Sequence, residues 1–442
     1  MNLELKWFER KSGSEENRPH EKRKPFERDR ARLIHSAGFR RLQGKTQVLG
    51  IAEGDFHRTR LTHSMEVGQI ARGLVLQLRE THKNALGILP PTKLIESISF
   101  GHDVGHPPFG HSGECALNYM MRRDGGFEGN AQSLRLLAQL EAHTSGFGLD
   151  LTRRTLLGIL KYPRPYSDGK RAKAAVDPTS LAQLRRDDWK PPKCYYDSDK
   201  PIVDWLLEVF PESDRILFLE WDKPPTDEAN GKPKHRTLDC SLMEAADDIA
   251  YGVHDFEDGI ALGLITRDHW ECACEKLDKD WAAMVGLNAE ITGNHLFEQP
   301  HEQHRKKAIG GLVHAMIASI ELDQLTGFTH PLLSYRAKLK ASAKTFLEEL
   351  NAIVKKHIID LQSVQTLEYR GRFLVTSLFQ AIEADPKMLL GKNFVDRYEE
   401  EKDSVVKTRV ICDYIAGMTD AYASRMYERL FLPRHGTVFE RL

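Results

Sequence analysis

Between Gly101 and His111 the chain reads GHDVGHPPFGH, which sets His102, Asp103, His106 and His111 around the pair Pro107-Pro108. Imidazole nitrogen and carboxylate oxygen are the donors that suit a hydrolytic divalent ion, and imidazole is also the side chain that titrates nearest neutral pH. An adjacent His-Asp pair is weak evidence alone, because neighbours on a helix point about 100° apart; at a helix end a long imidazole and a short carboxylate still reach one ion. Pro107 cannot continue a helix and Pro108 restricts the residue before it. The chain must therefore turn after His106, which returns His111 toward the pair from a second direction. Glu114, three residues on, shares the helical face of His111 and is placed to hold its imidazole. His106, one turn beyond His102, is a supporting or phosphate-binding residue on the same reasoning.

The elements that would deliver these groups are helices. Val67, Ile70, Ala71, Leu74, Val75 and Leu78 form one apolar stripe, and four residues before Val67 stands His63, at the inner edge of the same face. Leu94, Ile95 and Ile98 form a second stripe whose next inward position is His102. In EAADDIAYGVHDFED the residues Asp247, Tyr251 and Asp255 recur every four positions beside Ala246, Ala250 and Val253. An acidic row along an apolar seam is costly unless a cation or a hydrogen-bond donor meets it. His63, His102, Asp103 and Asp247 thus make an H…HD…D set drawn from three segments.

The wider chain fits such a scaffold. Its 442 residues are 40% hydrophobic and 29% charged, enough for a large core, and helical periodicity dominates while alternating strands are scarce, so the fold is expected to be all-α. A net charge of -1 supplies no global field toward nucleic acid or an anionic surface, so any anion site must be local. Six scattered cysteines without paired zinc-finger spacing read as reduced thiols of a cytoplasmic protein. The first 24 residues lack an apolar signal core and no run of about eighteen apolar residues occurs, so neither secretion nor membrane spanning is expected. Residues 1–24 are expected to be disordered or extended. Residues 25–265 would form the catalytic core, interrupted over 163–235 by an irregular Pro-, Gly- and charge-rich insertion, with a helical region over 266–442 packed on it.

The blocks FRRLQGKTQV, RTRLTHSMEV, GHDVGHPPFGHSGE, EAADDIAY and DYIAGMTDAYA, in this order, resemble the HD-domain metallohydrolases. Within them the match is to the deoxynucleoside triphosphate triphosphohydrolases, the family of bacterial dGTPases and the vertebrate SAM-and-HD-domain dNTPase. The resemblance implies an HD-type helical core and a divalent metal (Mn, Mg, Fe or Co) held by His63, His102, Asp103 and Asp247. Asp247 is chosen over Asp248 because the family ligand is followed, four and eight residues later, by a tyrosine and an aspartate that meet the substrate, here Tyr251 and Asp255. By the same resemblance His111 is the proton donor or in-line catalytic group, supported by Glu114 and His106. Arg60, Lys161, Tyr162 and Lys193 would contact the triphosphate, while Gln47 would read the sugar 3′-hydroxyl with Val48 in a wall near the 2′ position. Gly129 departs from the vertebrate enzyme and some relatives, which carry a histidine there; this leaves His111 as the principal proton carrier. A dNTP substrate, an activating nucleotide at a subunit interface and a homo-oligomer are further family implications. Other HD phosphohydrolases, nucleotidases and phosphodiesterases, share the ligand set but do not require the KTQV, KYP and GMTD blocks. The basic stretch KRKPFERDRARLIHSAGFRRLQGK raises a nucleic-acid-binding regulatory HD protein as a different reading. Its few aromatics and its amphipathic alternation leave single-stranded nucleic acid at most a regulatory role.

Overall fold

The computed structural model describes residues 3–13, 19–47, 58–298 and 302–433, so Val48 lies outside the described residues. The fold is all-α, as expected. In chain order the helices that matter for the site are α1 (Pro25–His35), α2 (Arg60–Thr81), α3 (Thr92–Gly101), α4 (Gly110–Met120), α5 (Gly129–Arg135), α6 (Leu238–Ala261), α7 (Glu302–Ala318), α8 (Ala341–Val354), α9 (Gln362–Ala384), α10 (Ser404–Ala416) and α11 (Asp420–Phe431). Two small antiparallel ribbons accompany them. One pairs β1 (Trp221–Lys223) with β2 (Lys232–Pro233) in the irregular insertion; the other pairs β3 (Ile320–Gln324) with β4 (Tyr335–Leu339).

Local chemistry sets where the site-bearing helices begin. Thr62 N donates to the Thr59 hydroxyl at 3.3 Å and Thr59 N donates to the Thr62 hydroxyl at 3.0 Å, a reciprocal cap for the first turn of α2. The stripe from Val67 to Leu78 is buried as its spacing predicts, and so is His63. On α3, Leu94, Ile95 and Ile98 are fully buried against α2 and α1, and His102 follows as the residue that closes the helix. After the two prolines, Phe109 and Gly110 both take left-handed backbone, with φ of 61° and 57°. That conformation is ordinary for glycine and costs about 1–2 kcal/mol for phenylalanine. It is compensated where Phe109 N donates to Asp420 Oδ1 at 2.9 Å. The Thr237 hydroxyl caps α6 by accepting from Cys240 N at 3.2 Å. This helix is buried on most of its circumference, as a central helix must be.

Packing divides the protein differently from the sequence expectation. One apolar core joins α1, α2, α3 and α6 with α7 and α8, so residues 265–358 share the core of the expected catalytic region rather than lying on it. A second core joins α4 and Phe127 with α9, α10 and α11 through Leu117, Tyr119, Leu378, Phe379, Ile411 and Ile415. The segment 109–131 therefore packs with the C-terminal helices. His63, His102 and Asp247 project from the first core and His111 from a helix of the second, which puts the site on the seam. The N-terminal segment also departs from expectation. Trp7 is buried with its ring 6.1 Å from Phe210 and 5.5 Å from His330, and Arg10 Nη1 lies 2.8 Å from Asp29 Oδ1. One aromatic anchor and one buried ion pair suffice to hold a segment whose overall polarity reads as unstructured. Among the described residues no helix is long and apolar enough to cross a membrane.

Because Ile98 is fully buried where α3 meets α2 and α6, Ile98→Ala should cost about 2–5 kcal/mol. A lowered chemical-unfolding midpoint, with the far-ultraviolet helical signal of the folded state retained, would show it; an unchanged midpoint would contradict this packing.

Candidate active site

Three helices converge at the floor of a cavity of about 2020 Å³ whose lining includes His63, His102, Asp103, Asp247 and His111. His63 Nε2 lies 3.0 Å from Asp247 Oδ1, and His102 Nε2 lies 3.7 Å from the same oxygen and 3.5 Å from Asp103 Oδ1. The donor atoms of His63, His102 and Asp103 all fall within 4.8 Å of one another. His102 Nδ1 is 2.6 Å from the Ser99 carbonyl, which as an acceptor requires the proton on Nδ1 and leaves the Nε2 lone pair free. That Nε2 is buried with no hydrogen-bond partner. An imidazole oriented from behind and an orphaned inward nitrogen are what a metal ligand requires, so the donor set fits a divalent ion.

The electrostatics favour charged carboxylates here. Burial would raise the Asp103 carboxyl, but His106, Arg60 and His102 outweigh it and hold the group well below the usual range. Arg60 Nη1 reaches Asp103 Oδ2 at 2.5 Å, and His106 Nδ1 reaches Asp103 Oδ1 at 2.9 Å. Burial also opposes ionisation of Asp247, and the bond to His63 and the His102 imidazole more than offset it. His106 shifts downward: burial depresses the imidazole, and Arg60 adds to that against the opposing pull of Asp103. The neighbouring Asp248 is solvent-exposed and makes no contact with either histidine at these distances, so the geometry favours Asp247 in the choice between them.

The turn at Pro107-Pro108 brings His111 to the cavity wall, with 57% of its side chain exposed. Its Nδ1 lies 3.0 Å from Glu114 Oε2, and Glu114 Oε1 accepts from Gly129 N at 2.8 Å. Burial would raise the Glu114 carboxyl, yet the His111 bond and Lys193 hold it below the ordinary range. The first residue of α5 is thus used through its backbone. A Cβ on Gly129 would stand 3.2 Å from Glu114 Oε1, a tight approach, and 3.4 Å from His106 Nε2, an ordinary contact.

The residues assigned to substrate do not all share this cavity. Gln47, Arg60, Lys161, Tyr162, Lys193 and Tyr251 line it. The Gln47 side-chain oxygen is buried without a partner. Lys193 Nζ sits 3.3 Å from Glu128 Oε1 and 5.5 Å from the Tyr162 ring centre, while Lys161 Nζ sits 3.5 Å from Glu244 Oε1. Asp255 is absent from the lining; it is buried behind His63, with Oδ2 unpartnered, and burial pushes it up to about 7. Among the further groups lining the cavity that the sequence reading gave no role are Thr46, Asp420 and Arg372. The GMTD block was the available signal for Asp420. Arg372 stands outside every block and gave none.

The chain is similar to known proteins over nearly its whole length. Residues 337–429 match the phosphohydrolase-associated domain family. The chain is 44% identical over 436 residues to a deoxyguanosinetriphosphate triphosphohydrolase-like protein of Shewanella woodyi, covering 98% of each chain. It is 45% identical over 441 residues to the like-named protein of Shewanella sediminis, again 98% of each. For that of Vibrio vulnificus it is 43% identical over 438 residues, 98% of this chain and 99% of the relative.

The two adjacent aspartates separate cleanly by experiment. Asp247→Ala should weaken Mn²⁺ binding, measured by calorimetry, by on the order of 100-fold or more, beyond the usual effect of losing an outer partner. Asp248→Ala should bind the ion as the parent does, and the reverse pattern would move the ligand by one position.

Proposed function

Since the chain belongs to the deoxyguanosinetriphosphate triphosphohydrolase-like proteins and is a hydrolase, we propose that it cleaves deoxynucleoside triphosphates, dGTP or several dNTPs, to deoxynucleoside and tripolyphosphate. The observation that carries this reading is the convergence of two imidazoles and two carboxylates on a cavity floor, with His111 and two lysines on the walls. His63, His102, Asp103 and Asp247 would hold a divalent ion, Mn²⁺, Mg²⁺, Fe²⁺ or Co²⁺ by donor type. Such an ion, when bound, polarises a phosphoryl oxygen and acidifies its water.

The chain's own residues supply the rest. Lys161, Lys193 and Arg60 offer positive charge to the triphosphate, and the Tyr162 ring supports Lys193 from beneath. Water oxygen bonds to the α-phosphorus as the bond from phosphorus to the 5′-oxygen breaks, and the electron pair leaves with that oxygen. His111, with Nδ1 held by Glu114, presents its exposed edge to the cavity and gives the departing 5′-oxygen its proton. His106 supports Asp103 at 2.9 Å. The unpartnered oxygen of Gln47 accepts from the sugar 3′-hydroxyl. Tyr251 closes the sugar end, while Asp255 stands back from the cavity.

Incubation with each dNTP in ¹⁸O-water should give deoxynucleoside and ¹⁸O-labelled tripolyphosphate, read by phosphorus NMR and mass spectrometry. Pyrophosphate with dNMP, or orthophosphate alone, would place the chemistry at another bond. His111→Ala should lower kcat by about 10²–10⁴-fold with Mn²⁺ affinity unchanged; loss of the ion would make His111 a ligand instead.

A further inference from the structure

The GMTD block lies more than three hundred residues from the KTQ block in sequence, yet the two are bonded to each other at the cavity rim. Asp420, the first residue of α11, is only 8% exposed. Its Oδ2 accepts from Thr46 N at 3.0 Å and from the Thr46 hydroxyl at 2.7 Å, and its Oδ1 accepts from Phe109 N at 2.9 Å. One carboxylate therefore ties the strip that carries Gln47 to the turn that aims His111. Lys45, 2% exposed, repeats the connection: its Nζ donates to the His106 carbonyl at 2.5 Å and to the Ala416 carbonyl at 2.8 Å. Charged or neutral, the amine has enough hydrogens for both carbonyls.

The surroundings leave little slack. Gly44 abuts Thr419 so closely that a Cβ would lie 2.8 Å from its methyl, and Arg41 Nη1 donates to the Gly417 carbonyl at 3.1 Å. On its other side the strip is held to the start of α2, where Arg60 N donates to the Lys45 carbonyl at 3.2 Å. The Phe109 backbone sits in the left-handed region, a conformation that persists only where the surroundings impose it.

We propose that Asp420, with Lys45 as a second strut, is a positioning residue that sets the sugar-reading Gln47 and the proton-donating His111 in one register across the seam between the two cores. This rests on the roles given to Gln47 and His111 above. It predicts that one substitution of a residue that bonds none of the metal ligands disturbs sugar choice and proton transfer together, because displacement of a reacting group by about 1 Å is enough to cost on the order of 10²-fold.

The test is steady-state kinetics of the full-length protein on dGTP and GTP, beside thermal unfolding and Mn²⁺ titration. Asp420→Ala should lower kcat and raise KM for dGTP, each by about tenfold, and narrow the dGTP-to-GTP preference by a similar factor, with Mn²⁺ affinity unchanged. Thr46→Val, which removes only the hydroxyl bond, should narrow that preference several-fold and leave the pH profile of kcat intact; Thr46→Ser should restore it. If Asp420→Ala does not fold, the Thr46 pair decides. A lowered melting temperature with wild-type kcat, KM and sugar preference below it would overturn the proposal and leave Asp420 a purely structural residue. A parent protein that turns over no dNTP, or does not discriminate dGTP from GTP, would instead sink the reading on which it rests.

Discussion

Two imidazoles and two carboxylates lie together beneath an apolar helix bundle, and their burial is the constraint to which the surrounding structure answers. A buried carboxylate without compensation costs several kcal/mol. Asp103 is therefore flanked by Arg60 and His106, and Asp247 by His63 and His102. Each compensating group then needs orientation of its own: the Ser99 carbonyl fixes His102, and the cap at Thr59 starts the helix that carries Arg60 and His63. The chain of requirements runs outward from the carboxylates to helix ends.

That chain also explains why the histidine beyond the prolines belongs to another core. A residue on α3 or its extension stays at the cavity floor, as His106 does against Asp103. By turning at Pro107-Pro108 and starting a helix that packs on α9, α10 and α11, the chain carries His111 to the wall instead of the floor. Its partner Glu114 is then held by the backbone N–H of Gly129 in α5, where a Cβ would come within 3.2 Å of Glu114 Oε1. The His-Asp cluster at the floor and His111 at the wall are thus set by separate cores, and the link between them has to cross the seam.

Placement on a seam has a consequence for the cavity walls as well. Lys193 comes from the irregular insertion, Gln47 from the strip before α2 and Tyr251 from α6, so each wall of the cavity is supplied by a different packing unit. Lys193 and Lys161 are held at the wall by Glu128 and Glu244 at 3.3 and 3.5 Å, which compensates their charge there.

The sequence by itself determined the helical class, the inward stripes that carry His63 and His102, and the turn that brings His111 back, because all three depend on local rules: a 3.6-residue period and the missing N–H and fixed φ of proline. It also determined family membership, since long blocks in fixed order survive where overall composition says little. What it did not determine is everything that depends on which distant surfaces meet. Trp7 and Arg10 look like part of a polar tail until Phe210, His330 and Asp29 are beside them. The boundary expected at 265 dissolves because residues beyond it fill the core of α6, while 109–131 leave that core for the C-terminal helices. Asp255 shares the periodicity of Asp247 and Tyr251 but lies behind the floor, since helical spacing sets a common face and not the depth of the wall in front of it. Asp420 and Lys45 show the limit most plainly: neither sits in a local pattern that implies the other, and only tertiary packing brings a carboxylate and an amine from opposite ends of the chain onto the same turn.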